Sequence, residues 1–179
     1  MIPLTRVQRT ERIILLIHIC DFSAWSEVTS PDLVITMLNQ FYELTEKIIV
    51  SGDGCPPLFT GDKVMSWFEV PEQAVKIGQW LNYVANNFLH FYGLSASIGL
   101  HTGDVIEGLL GSKNTRNHSI IGHAVLMTSQ LVSAAKPGEL LISEKLAQVL
   151  ELPAATSHPR VINTRGQQQP LLAYTIGVR

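Results

Sequence analysis

The sequence predicts an α+β fold: a ferredoxin-like βααββαβ sandwich followed by a C-terminal α/β extension. Three observations lead there. The run Ile13 to Ile19 is continuously apolar and β-prone, as a buried central strand requires. Two stretches with helical apolar spacing flank a strand–turn–strand unit centred on Gly61-Asp62-Lys63. Leu94 to Leu100 then alternates as a strand that returns to the sheet.

Residues 1–11 are polar and are expected as an N-terminal arm, leaving 12–179 as a single domain. After the first strand, Asp21 to Glu27 reads as a helix start with Asp21 or Ser23 as cap. Pro31 and Asp32 open a second helix whose Val34, Met37, Leu38, Phe41, Leu44, Ile48 and Ile49 keep the helical period. The turn Ser51 to Gly54 ends it. Strands at Leu58–Thr60 and Val64–Phe68 follow, then a helix from Pro71 to about Phe91 with Trp80 and Leu81 inside. Val105 to Leu110 continues the sheet, and Gly111 to His118 reads as a polar loop. A short strand, Ser119 to Ile121, precedes a helix over His123–Ala135. The turn Pro137-Gly138, a strand Glu139–Ile142, a short helix over 143–151, a turn at Gln167 to Gln169 and a strand Leu171–Ile176 complete the chain. Trp25, Trp67 and Trp80 read as core.

Composition narrows the function classes. The 179 residues carry 13 basic and 15 acidic side chains, a net charge of -2, which gives no electrostatic case for nucleic acid or an anionic membrane. With 46% hydrophobic and 16% charged residues, the chain has either a large core or a face covered by a partner. Cys20 and Cys55 are too few for a disulfide framework, which suits a reducing cytosol. The first residues lack a signal-peptide pattern, and the longest apolar run falls far short of a membrane span. A cytoplasmic protein with no membrane contact is expected.

Six blocks in order carry a resemblance. They are Leu16 to Glu27, Leu58 to Phe68, Ile98 to Gly108 with Gly111-Ser112, Ile121 to Val125, Pro137 to Ser143, and Gly166 to Tyr174. Together they resemble the class III adenylate and guanylate cyclases over residues 11–178. The resemblance implies the class III nucleotidyl cyclase fold. It also implies a dimer whose sites draw on both chains: two aspartates holding magnesium or manganese, a polar pair reading the purine, an Asn orienting the ribose and an Arg stabilising the transferring phosphate.

Carried over residue by residue, the pattern is degenerate. The second metal aspartate is Asp62, but the first falls on His18, and imidazole is a poor ligand for a hard ion. Asp21 stands where the family has a glycine beside the phosphates. The purine-reading positions are Leu58 and Ser119, the Asn position is Leu126 and the Arg position is Gln130. No catalytic residue and no cofactor are therefore expected. Asp62 is either a turn residue or a metal ligand, and His18 with Asp62 is a weak candidate site for a transition metal. Leu58 and Leu126 make the pocket apolar, either as collapsed core or as a site for an apolar ligand. His101 reads as a hydrogen-bonded histidine at a sheet end; His90, His118, His123 and His158 show no ligand spacing.

Function follows from these substitutions. The expected protein is a non-catalytic cyclase homology domain, a homodimer serving as a signalling or interaction module, with a signalling protein as a further partner. The alternatives are a divergent cyclase using magnesium or manganese, alone or as half of a heterodimer, and a sensor of an apolar small molecule.

Overall fold

The computed structural model describes residues 7–152, 159–163 and 170–177. Its first strand, β1 (Gln8–Cys20), is the centre of the sheet because its apolar residues satisfy both faces. Ile13, Leu15, Ile17 and Ile19 point to one side and join the main core; Ile14 points to the other. After helix α1 (Phe22–Val28), helix α2 (Pro31–Ser51) starts with Pro31 at its first turn, and buries Met37, Phe41, Thr45, Ile48 and Ile49. The hairpin β2 (Leu58–Thr60) and β3 (Lys63–Phe68) leads into α3 (Pro71–His90). Strand β4 (Ser95–Ser112) pairs antiparallel with β1 along all of the latter, from Gln8 opposite Glu107 to Cys20 opposite Ser95. Then come β5 (Thr115–Ile121), α4 (His123–Ala134), β6 (Leu140–Ser143), α5 (Glu144–Val149), β7 (Arg160–Ile162) and β8 (Leu171–Thr175).

The sheet runs β2-β3-β1-β4-β6-β8-β7, with β5 attached to β4. Helices α2 and α3 cover one face with the main core; α4 covers the other over Ile14, Trp67, Val105 and Ile120. Glu139, just before β6, receives two bonds from Arg160 (2.8 and 2.7 Å), which tie the C-terminal extension to the central sheet.

The structure departs from the sequence reading in four places. Strand β1 begins at Gln8, so residues 8–11, read as part of an arm, are paired sheet. The stretch 111–118, read as a polar loop, is a β-hairpin: β4 and β5 pair out to Ser112 opposite Thr115. Residues 109–117 are exposed, so no apolar alternation marks the ladder. Trp80 is 54% exposed rather than core, and Trp25 is half-buried; Trp67 is buried. The buried seam of α3 is instead Ala74, Gly78, Leu81, Asn82, Ala85 and Leu89. Small residues sit there because the helix lies close: a Cβ on Gly78 would come within 2.8 Å of Leu100 Cδ1. The turn read at 167–169 and His158 lie outside the described residues.

The same close approach positions α4. A Cβ on Gly99 would stand 2.8 Å from Val132 Cγ2 and 3.0 Å from the backbone oxygen of Thr128, so only glycine lets α4 rest on β4. Gly99→Ala is expected to cost about 1–3 kcal/mol through overpacking. Urea unfolding followed by circular dichroism measures this; a variant as stable as the parent would mean that α4 shifts without cost.

Candidate functional site

Alternate residues of β1 share a face, so Arg12, Ile14, Leu16, His18 and Cys20 line up on the α4 side of the sheet. Apolar side chains fill the middle of this row. Polar groups stand at both ends, and each end has its own network.

At the C-terminal end, His18 Nε2 donates to Asp62 Oδ2 at 2.8 Å. Asp62 is placed by the β2–β3 turn, where Gly61 takes the left-handed conformation (φ 57°). The Tyr42 hydroxyl donates to the Gly61 carbonyl, and Ile19 N donates to the Asp62 carbonyl at 2.8 Å, fixing the turn against α2 and β1. Phe59 stacks on Tyr42 with ring centroids 4.3 Å apart. Two residues that the resemblance singles out, His18 and Asp62, are thus brought together and bond to each other. Cys20 stands two residues along β1 from His18 and shares its face. The neighbouring Cys20 side chain, assisted by the Asp62 charge and opposed by burial, holds the His18 imidazole above its usual range. Burial pushes the Cys20 thiol up, but the neighbouring His18, Ser97 and Ser95 side chains outweigh it and hold the thiol below its ordinary value.

Asp21 follows directly. It is the N-cap residue of α1, one of the two the sequence offered, but its side chain makes no capping bond. Its backbone is left-handed (φ 58°, ψ 15°). That conformation explains the glycine in the family pattern, and Asp is among the few other residues that tolerate it.

The N-terminal end of the row went unnoticed in the sequence. Glu107 is 4% exposed and accepts from Arg12 Nε (2.9 Å), Trp67 Nε1 (3.2 Å) and His118 Nε2 (3.1 Å). The Cys55 thiol donates to His118 Nδ1 at 3.6 Å. Burial and the Glu107 carboxylate push that thiol up to about 11, against the opposing charge of Arg12. A charge in the buried phase of an alternating strand, as at Glu107, is the signal that exposes this network.

The remaining positions sit near α4. Leu58 is half-buried and packs with Cys55, Met65 and Val125 against the cluster of Ile14 and Trp67. Ser119 lies on β5 opposite Gly108. Leu126 is 50% exposed, and Gln130 lies one helical turn beyond it. The buried Gln130 Oε1 has no hydrogen-bond partner among the described residues. No group of three His, Cys, Asp or Glu side chains with metal-binding geometry occurs among them either. No helix there is long and apolar enough to cross a membrane.

The family model for the adenylate and guanylate cyclase catalytic domain matches residues 5–176. Receptor-type guanylate cyclase gcy-10 of Caenorhabditis elegans is 27% identical over 149 residues, which are 76% of this chain and 14% of that protein. Adenylate cyclase 1 of Rhizobium meliloti is 26% identical over 126 residues, 63% of this chain and 19% of that protein. The chain thus spans under a fifth of these relatives' length. The guanylyl cyclase Cya2 superposes with a TM-score of 0.89 at 21% identity, covering 97% of this chain and 95% of that one. The adenylyl cyclase CyaB from P. aeruginosa gives 0.86 at 23% identity, with 97% of each chain covered.

His101 is buried, and its Nδ1 accepts from Ser143 Oγ at 2.8 Å, the bonded histidine the sequence suggested. The same hydroxyl accepts from Leu146 N and caps α5. Burial, then the charges of Lys145 and His123, depress His101 to about 4 from an ordinary 6.5. The unfolded chain therefore binds more protons between these values. Stability is full above about pH 6.5 and is lost as pH falls toward 4, by on the order of 3 kcal/mol. His101→Gln is expected to flatten this part of the stability–pH curve, as read from urea midpoints across pH 4–7. An unchanged slope would assign the acid sensitivity to other groups.

Proposed function

The chain belongs to the adenylate and guanylate cyclase catalytic domain family, and from that premise we propose a member that has given up nucleotide turnover and acts as a dimerising signalling or interaction module. One observation carries the reading. The carboxylate that remains at a metal position, Asp62, is bonded at 2.8 Å by His18, the residue standing where its fellow carboxylate would be.

Two hard divalent ions need several oxygen ligands. Here one carboxylate is offered, and an imidazole held in its upper pKa range already uses it. The donor set does not fit the metal pair. The transition-state positions fare no better: Leu126 offers no polar atom, and Gln130 has no charge to set against a developing phosphate charge. Asp21 adds a carboxylate where triphosphate would approach. A unit charge about 4 Å from a phosphate charge costs on the order of 4 kcal/mol at an effective dielectric of about 20.

Apolar exposure supports the dimer. Ile106 and Ile121 are register partners on β4 and β5, 40% and 47% exposed, and Leu110 (52%) continues the same face. Such a surface favours burial against a second copy. Sedimentation velocity at micromolar concentration is expected to show a dimer of the 19.8 kDa chain. Ile106→Arg, placing a charge on that face, is expected to weaken the dimer at least tenfold. A parent protein that sediments as a monomer contradicts the reading.

Turnover gives the second test. Mass spectrometry is expected to find only background cyclic AMP and cyclic GMP from ATP or GTP with magnesium or manganese. His18→Asp should not restore activity, because Leu126 and Gln130 remain. Turnover by the parent that disappears in Asp62→Ala would establish a working metal site and overturn the proposal.

A further inference from the structure

The buried Glu107 network ends at two atoms that the cyclase pattern does not use: the Cys55 sulfur and His118 Nδ1, 3.6 Å apart. Their neighbours fix how they meet. His118 Nε2 donates to Glu107 Oε1 at 3.1 Å, so the ring carries its proton on that side and turns the Nδ1 lone pair to the sulfur. Glu107 is itself held by Arg12 Nε and Trp67 Nε1, and the His118 ring lies against Trp67 with centroids 5.4 Å apart. Cys55 is set by its backbone, whose N donates to the Trp67 carbonyl at 2.9 Å and whose carbonyl accepts from Ser66 Oγ at 2.6 Å.

An imidazole that gives its second N–H to a carboxylate is the usual outer arrangement of a metal-binding histidine. The sulfur–nitrogen separation fits as well. Bonds of about 2.3 Å to sulfur and about 2.0 Å to nitrogen, meeting at roughly 110–120°, hold those atoms about 3.5–3.7 Å apart. The ion follows from what else is present. Zinc closes its sites with four N, S or O ligands, and no third His, Cys, Asp or Glu completes the pair among the described residues. Leu58, Met65 and Val125 pack with Cys55 against the cluster of Ile14 and Trp67, so the surroundings are apolar and include a thioether. Glu107 is already matched by Arg12. A monovalent ion on a thiolate is therefore neutral overall, which such surroundings accept, whereas a divalent ion leaves a charge uncompensated. Soft sulfur and imidazole donors in small number select copper(I).

We propose that Cys55 and His118 form a binding site for a single copper(I) ion at the foot of the β4–β5 hairpin. Cys55 lies between α2 and β2 and His118 lies on β5, so the ion joins the hairpin to the body of the sheet. On binding, the Cys55 S–H proton leaves to solvent and a copper–sulfur bond replaces it, with no change of oxidation state. Both side chains are partly exposed, which leaves the ion a path from solvent.

Copper(I) is titrated into the full chain without oxygen, against bicinchoninate as competing chelator. One ion per chain is expected, bound at least tenfold more tightly than by the same chain in urea, where the two groups are apart. His118→Gln is expected to weaken binding at least tenfold and Cys55→Ser at least a hundredfold, while Cys20→Ser is expected to leave it unchanged. Zinc is expected to bind at least a hundredfold more weakly than copper(I). The bound ion is also expected to shield Cys55 from iodoacetamide at least tenfold while Cys20 reacts as before, read on tryptic peptides that Lys47 separates. An affinity no better than in urea, or shielding of Cys20 instead, overturns the proposal even if the variants fail to fold. A folded His118→Gln chain with unchanged affinity overturns it too, and so does zinc binding as tight as copper(I).

Discussion

The ladder between β1 and β4 is the interaction on which the rest depends. It runs the whole length of β1, and it sets which side every residue of both strands faces. One parity sends Ile13, Leu15, Ile17, Ile98 and Leu100 into the main core under α2 and α3. The other lays Gly99 under α4 and puts Arg12, His18 and Cys20 on the opposite face. A slip of one residue would bury the charged set and expose the apolar one. The register is therefore held by burial, and the two polar networks stand at the two ends of the row on that face.

Those networks show how a carboxylate can be retained for different physical ends. Glu107 is almost completely buried, with Arg12 against it and two further donors completing its shell. Asp62 is partly exposed, and among the described residues its side chain bonds to that of His18. An imidazole at position 18, where a second carboxylate would repel Asp62, supplies Asp62 with a donor instead.

Much of the fold was legible because burial imposes periodicity. The run at Ile13–Ile19, the helices opened by Pro31 and Pro71 and the hairpin around Gly61 all stand where their residues point. What escaped the sequence did so where burial is absent or size is the constraint. The β4–β5 hairpin is exposed on both sides, so its backbone pairing leaves no apolar trace. Helix α3 meets the sheet through Ala74, Gly78 and Ala85, which reads as a weak seam beside the larger Trp80. At the site, positions 18 and 62 were visible as a pair through motif spacing. Cys20 was not singled out, although His-x-Cys on a strand places both side chains on one face. The Arg12–Glu107–His118 network joins residues far apart in the chain, and only the tertiary register brings them together.

The β1–β4 ladder also has a history in time. During synthesis β1 emerges first, with its apolar residues uncovered. One edge is claimed about 45 residues later, when β3 arrives; the other waits for the end of β4, nearly 90 residues after Cys20. At roughly 5–20 residues per second, that is on the order of 4–17 s during which one edge of a strand with an apolar centre stays open. Pairing of such sequence separation also slows folding of the released chain. The strand that organises the finished domain thus stands unpaired on one edge for much of the time the domain is being made.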